Sequence, residues 1–314
     1  MTSAGSAPSA PAATPNPESL AAPHPALTIP RRALITGAAG MLGSDLVPAL
    51  AAAGFQVIPR AKEELDIRDR AAVSRAFRET SPDVVVNCAA FTKVDDSETD
   101  PRAHEVNAAA VEVLAAECLV RSAALVHVST DFVFDGEKGA PYLEDDETRP
   151  LSAYGRSKLA GEAAALTAGN ALVVRSSWLF GRGGWNFVEA ILKQAEAGKS
   201  ELTVVHDQRG RPTATPDLAE AIVALLFSNA TGIYHFANRG PASWFEFARA
   251  ILDLSGRNDV RVVPIESATL ARPAARPAFS VLDTTRYEKR TGRPIRPWRE
   301  ALAEYLAARA RPEA

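Results

Sequence analysis

Short, nearly continuous apolar runs alternate along the first part of the chain with longer stretches of helical periodicity. "RALITG", "FQVIPR", "PDVVVNCAA" and "AALVHVST" are β-branched and aliphatic runs of strand length. Between them, "MLGSDLVPALAAAG", "DRAAVSRAFRET" and "DPRAHEVNAAAVEVLAAECLVR" carry helical spacing. Pro48 sits early in the first helix and Gly54 closes it, while Asp100 and Pro101 supply an N-cap and first residue for the third. "NALVVRSSWLFG" reads as a fifth strand, after a helix containing "YGRSK". Strands that are apolar throughout are buried on both faces, so the pattern predicts an α/β fold: a doubly wound parallel sheet with helices on either side.

Beyond about residue 180 the alternation loosens. "WNFVEAILKQAEAG", "PDLAEAIVALLFS" and "SWFEFARAILDLSG" are helical, with short strands such as "GIYHFA" and "VRVVPI" between them. Residues 181–314 are therefore expected to form mainly a smaller C-terminal lobe, with some return to the sheet, closing a cleft over residues 31–180. Residues 1–30 differ from both. They are rich in Ala, Pro and Ser and hold no Lys or Arg, so they resemble no secretory signal and are expected to be a disordered tail.

Composition narrows the function. A net charge of −3 gives no general affinity for nucleic acid or an anionic membrane. No apolar run approaches the roughly 20 residues that span a bilayer. Cys88 and Cys118 match neither a metal spacing nor a disulfide framework, and a reducing cytoplasm is the simplest compartment.

Candidate chemistry begins at "ITGAAGMLG", with Gly37, Gly40 and Gly43 between the first strand and first helix. Glycines there permit a tight turn and close backbone approach to a pyrophosphate, and the helix N-terminus offers free N–H groups to the anion. Residues 31–180 thus read as a dinucleotide-binding, Rossmann-like domain. The second strand ends "VIPRAKEE", with Arg60 and Lys62 where an acidic residue would hold an NAD ribose. Basic groups there favour a 2′-phosphate, hence NADP(H) over NAD(H); the competing reading is solvated loop charges.

"VSTDFVFDG" follows the fourth strand and puts Thr130 and Asp131 at its carboxyl end, where ligands of such sheets collect. A helix cap or turn is the competing use of such a cluster. Tyr154 and Lys158, four apart in "SAYGRSK", share a helix face. A free phenol titrates near ~10, and a fixed ammonium beside it favours phenolate, which makes the pair a proton donor and its activator. His104, His127, His206 and His235 have no metal-ligand partner and read as structural or surface residues; "EDDE" at 144–147 reads as a solvated loop, and no metal site is expected. Trp178 and Trp185 could stack on a base or sugar or pack in a core.

The glycine turn, "NCAA", "STD" and Y-x-x-x-K together resemble the extended short-chain dehydrogenase/reductase superfamily. Within it, "VVVNCAAFTKVDDSE", "VNAAAVEVLA", "HVSTDFVFDG", "PLSAYGRSKLAGE", "VVRSSWLFG", "DQRGRPT" and "RPAFSVLDTTR" resemble the dTDP-4-dehydrorhamnose reductases, over residues 32–305. The resemblance implies reduction of the C4 ketone of a dTDP-sugar, dTDP-4-dehydrorhamnose, by NADPH, with NADH as the alternative. The product, dTDP-L-rhamnose, is a precursor of cell-surface polysaccharide. It implies Tyr154, Lys158, Thr130 and Asp131 as catalytic residues. Cofactor contacts would come from Gly37, Gly40, Met41, Leu42, Gly43, Arg60, Lys62, Asp66, Ile67, Ala89, Ala90 and Thr92, with Tyr154 and Lys158. Substrate contacts would come from Thr92, Val94, Asp95, Thr130, Asp131, Trp178, Asn186, Arg211 and Thr213. Phe91 and Phe132 stand where relatives often carry tyrosine or histidine, and each removes one polar contact. Another nucleotide-sugar epimerase, dehydratase or reductase, or a non-catalytic NADP-binding subunit, is the alternative. The choice between monomer and homodimer, and any need for Mg2+, stay open.

Overall fold

In the computed structural model, which describes residues 31–310, the expected alternation is present from the first strand. The chain runs β1 (Arg32–Thr36), α1 (Met41–Ala52), β2 (Gln56–Arg60), α2 (Arg70–Thr80) and β3 (Val84–Asn87). A helical stretch follows in three parts: α3 (Arg102–His104), a π-helical turn at Glu105–Ala109, and α4 (Ala110–Arg121). Then come β4 (Ala124–Thr130), α5 (Ala153–Leu166) and β5 (Ala171–Ser176). The remainder comprises β6 (Leu179–Phe180), α6 (Phe187–Glu196), β7 (Glu201–Val205), β8 (Arg209–Gly210), β9 (Thr213–Ala214), α7 (Thr215–Phe227), β10 (Gly232–His235), β11 (Ala242–Ser243), α8 (Trp244–Leu254), β12 (Arg261–Ile265), α9 (Thr285–Thr291) and α10 (Trp298–Arg309). The tail expected at 1–30 lies outside the described residues.

Six strands form one parallel sheet in the order β2–β1–β3–β4–β5–β10. Adjacent residues of each strand point to opposite faces, which explains the continuous apolar runs. Ile35, Val86, Val126 and Val174 pack with Leu46 of α1 and Leu218 and Ile222 of α7. Their neighbours Leu34, Val85, Leu125 and Val173 pack with Phe77 of α2, Leu114 of α4 and Ala165 of α5. Each fully buried aliphatic side chain contributes about 1.5–3 kcal/mol, so this double-sided burial holds the sheet flat against both helix layers. A separate cluster joins Leu192, Phe247, Ile251 and Leu302 of α6, α8 and α10 with Val204 and Val262 of β7 and β12. No described helix is long and apolar enough to cross a membrane.

Two elements differ from the sequence reading. The fifth strand does not run through "SSWLF": it stops at Ser176, because Trp178 adopts a left-handed φ of 49°, and Leu179–Phe180 pairs with β9 instead. The long third helix is not regular. Asp100 does accept from the Arg102 amide at 2.9 Å, as a cap should, but a π turn follows. Inside that turn Asn107 is fully buried, and its amide both accepts from Phe91 N (2.8 Å) and donates to Phe91 O (3.0 Å). A Cβ on Gly161 of α5 would lie 2.0 Å from Asn107 O, so the π turn and Gly161 together bring α5 against this helix.

Candidate active site

The strand order reverses between β1 and β3, the place where doubly wound sheets open a crevice at their carboxyl ends. Gly37 stands there with φ +67°, and a Cβ on it would meet Ala89 N at 2.7 Å. Only glycine fits this turn. A cavity of about 510 Å³ opens beside it, lined by Gly37, Gly40, Lys62, Asp66, Ile67, Ala89, Ala90 and Thr92 among the expected cofactor residues. Met41, Leu42 and Gly43 form the first turn of α1 just behind. Arg60 does not line the cavity; its guanidinium folds back to donate to Pro59 O at 3.0 Å.

The sequence reading missed three of the groups that line this cavity. Arg68 forks onto Asp66 (2.6–3.1 Å) and holds that carboxyl below its usual range. Arg102 stands 5.8 Å over the Phe91 ring. Cys88 lines the inner wall, its thiol pushed up to about 12 by burial. Neither arginine lies in a local motif; the turns after β2 and β3 bring them together.

At the carboxyl end of β4 the four expected reacting residues converge. Ser152 caps α5 by accepting from Gly155 N, which sets the helix so that Tyr154 and Lys158 face β4. The Tyr154 phenol lies beside the Thr130 hydroxyl and close to the Asp131 carboxyl, while its ring packs edge-on against Phe132 at 5.8 Å. Thr130 Oγ1 donates to Asp131 Oδ1 at 3.1 Å. Asp131 is buried, and burial pushes its carboxyl up to about 7, with hydrogen bonds from Ser280 and Thr130 working against the rise. Ser280 was not foreseen, although it lies within "RPAFSVLDTTR".

Lys158 is almost fully buried and donates to Val128 O at 2.7 Å. Burial lowers its ammonium to about 8, against the opposing pull of Glu162 and Cys88. The expected lowering of the phenol by this lysine is not what the protein's own groups produce. Burial, with the nearby Asp131 carboxyl, pushes Tyr154 up to about 12, and the lysine amine donates to the β4 backbone. Tyr154 is thus held protonated.

The expected substrate contacts are placed less uniformly. Asp95 is taken by Arg276 (2.8 and 3.0 Å) and by Ala274 N, so its carboxylate ties the turn after β3 to the 270s segment. Val94 is half-buried next to it. Trp178 stacks on Trp244 at 3.6 Å and packs, partly buried, against the second core cluster. Asn186 caps α6 through Val188 N and Glu189 N and donates to Gly181 O, leaving its amide engaged. Thr213 is buried, with its hydroxyl on Arg211 O at 3.3 Å. Arg211 donates to Leu282 O and Thr284 Oγ1 from one nitrogen, while its Nε is buried without a partner. Ser176 Oγ, beside Thr130 in register, is likewise buried and unpartnered.

The acidic run at 144–147 is not wholly solvated. Glu144 is buried, accepts from His235 N at 3.0 Å and lies 3.5 Å from Arg286. The need to satisfy the β10 backbone draws it inward. Among the described residues, no group of three or more His, Cys, Asp or Glu could hold a metal ion.

Comparison with known proteins gives the chain's family. A dTDP-4-dehydrorhamnose reductase of Streptomyces griseus is 44% identical over 285 residues, covering 88% of this chain and 93% of that protein. A probable dTDP-4,6-dihydroxy-2-methyloxan-3-one 4-ketoreductase of Streptomyces antibioticus is 46% identical, covering 87% and 94%. A crystal structure of dTDP-4-dehydrorhamnose reductase from Bacillus anthracis, in complex with NADP, superposes with a TM-score of 0.86 at 34% identity, covering 89% of this chain and all of that one. The family model described as the RmlD substrate binding domain matches residues 31–311. The chain belongs to that family.

Proposed function

We propose that this chain reduces the C4 ketone of dTDP-4-dehydrorhamnose to give dTDP-L-rhamnose, with NADPH as reductant and NADH as a slower substitute. The observation that carries the reading is the meeting of Tyr154, Thr130 and Asp131 at the end of β4, one helical turn from Lys158 and next to the glycine-turned cavity. The cavity suits a dinucleotide: Gly37 leaves the backbone bare for a pyrophosphate, and Lys62, Arg68 and Arg102 supply cations for a ribose phosphate. The bound nicotinamide supplies the hydride.

The protein's own residues do the rest. Tyr154, held protonated, gives its proton to the carbonyl oxygen as negative charge develops there. The Thr130 hydroxyl, beside the phenol, helps to orient that oxygen. Lys158, in its ammonium form, places a positive charge within a turn of the phenol, which favours the phenolate left behind.

The relative named as a ketoreductase of a different dTDP sugar supports a second reading, in which another dTDP-4-keto-6-deoxy sugar is the preferred substrate. Both are tested by following nicotinamide absorbance with each sugar and each cofactor. The expected result is oxidation of NADPH with dTDP-4-dehydrorhamnose, faster than with NADH, and a reduced NADPH preference in Lys62→Ala. No oxidation of either cofactor would overturn the reading.

A further inference from the structure

A line of buried polar side chains crosses the sheet beneath Lys158 and has no part in the chemistry above. The Thr36 hydroxyl donates to Asn87 Oδ1 at 2.6 Å, Asn87 Nδ2 faces His127 Nδ1 at 3.2 Å, and His127 Nε2 faces Lys158 Nζ at 3.4 Å. The four residues, from β1, β3, β4 and α5, are each at most 2% exposed, so water does not compete for these contacts.

One further contact gives the line a direction. The Ala89 N–H, which can only donate, also points at Asn87 Oδ1 at 3.2 Å. An amide nitrogen cannot accept, so Oδ1 must face Ala89 and Nδ2 must face His127. Nδ2 donates, and Nδ1 therefore carries the lone pair. Burial keeps the imidazole neutral, which puts its single proton on Nε2, aimed at Lys158. A neutral amine can accept that proton while donating to Val128 O. An ammonium has no lone pair and would set donor against donor.

We propose that His127, fixed as the Nε2–H tautomer by Asn87 and Thr36, is a positioning residue that turns a donor toward Lys158 and so favours the neutral amine. The proposal rests on the reading of Lys158 as partner to Tyr154 in ketone reduction. The groups that face the amine are Cys88 after β3, His127 and the Val128 carbonyl on β4, and Glu162 on α5 itself. Glu162 favours the ammonium but is committed to Arg175 (2.7 Å) and Ser129 (2.5 Å). Burial acts against it and lowers the ammonium to about 8, and the imidazole donor at 3.4 Å works in the same direction. Lys158 can then change charge within the working range of the enzyme.

The test is 15N NMR of the histidine rings in the intact, unaltered chain. The expected His127 signals are an unprotonated Nδ1 and a protonated Nε2, constant between about pH 8 and pH 6. A proton on Nδ1, or an imidazolium, overturns the proposal whatever the activity. In Asn87→Asp a carboxylate accepts from Nδ1–H, the ring pattern reverses, and the alkaline limb of kcat/KM moves up by about one pH unit. A reversed ring with an unmoved limb overturns the link to Lys158. The expected ring pattern in a chain that oxidises no nicotinamide overturns the ketoreductase reading and supports the tautomer. The first arm uses only the unaltered chain, so a variant that fails to fold leaves the proposal exposed to refutation.

Discussion

Ser280 and Asp131 lie 149 positions apart in the chain and share a buried hydrogen bond, the serine hydroxyl donating to Asp131 Oδ2. The bond joins the segment before α9 to the end of β4, and it opposes the burial that pushes the Asp131 carboxyl up to about 7. Ser280→Ala removes a donor to the charged form. The Asp131 titration is expected to move up by about one unit, read as a shift of the acidic limb of kcat/KM. An unmoved limb would separate Asp131 from the chemistry.

The same carboxyl sets a pH dependence of stability. Its folded pKa lies above the unfolded value near 3.9, so the unfolded chain ionises first as pH rises. Wild-type stability is therefore expected to fall between about pH 4 and pH 7, and to level off above. Asp131→Asn does not titrate, and its melting temperature should gain on wild type across that window, by on the order of 1 kcal/mol or more in stability. Thermal melts at several pH values check this, and parallel curves for the two proteins would refute it.

Tyr154→Phe deletes the proton while keeping the ring that packs edge-on against Phe132. Turnover should drop at least about 100-fold, with NADPH affinity changed less than about twofold. Steady-state rates and fluorescence titration read the two quantities. Near-normal turnover would remove the tyrosine from its role.

Two glycines should fail in different ways. Gly37→Ala puts a methyl 2.7 Å from Ala89 N at a left-handed φ, and loss of NADPH binding is expected. In Gly161→Ala the methyl would sit 2.0 Å from Asn107 O, and the helices must part. A loss of about 1–3 kcal/mol in urea denaturation is expected there.

The order of elements was legible because the inner strands β1, β3, β4 and β5 are buried on both faces and so are written as nearly unbroken apolar runs. The glycine turn and the Tyr154–Lys158 pair were legible because their chemistry lies within a few residues. What escaped depends on partners far along the chain. Trp178 breaks the fifth strand in order to stack on Trp244, and "SSWLF" alone gives no sign of it. Glu144 is drawn inward by the His235 amide, 91 positions later, while its three acidic neighbours stay more open to solvent. Asp95 and Asn186 carry the residue types of ligand contacts, yet Arg276 and the first turn of α6 claim their polar atoms. His127 reads from the sequence as a structural or surface residue, because Asn87 and Lys158 reach it from neighbouring elements.

The pairing of β10 with β5 also bears on how the chain is made. Gly232 pairs with Leu172 and His235 with Arg175, so β5 keeps an unpaired backbone edge until some sixty further residues have left the ribosome. Any fragment ending near Phe180 would carry that apolar edge permanently, along with a face of α1 that α7 normally covers. Such a fragment should self-associate through strand addition rather than bind nucleotide as an independent unit, and light scattering of a chain cut at residue 180 would reveal it.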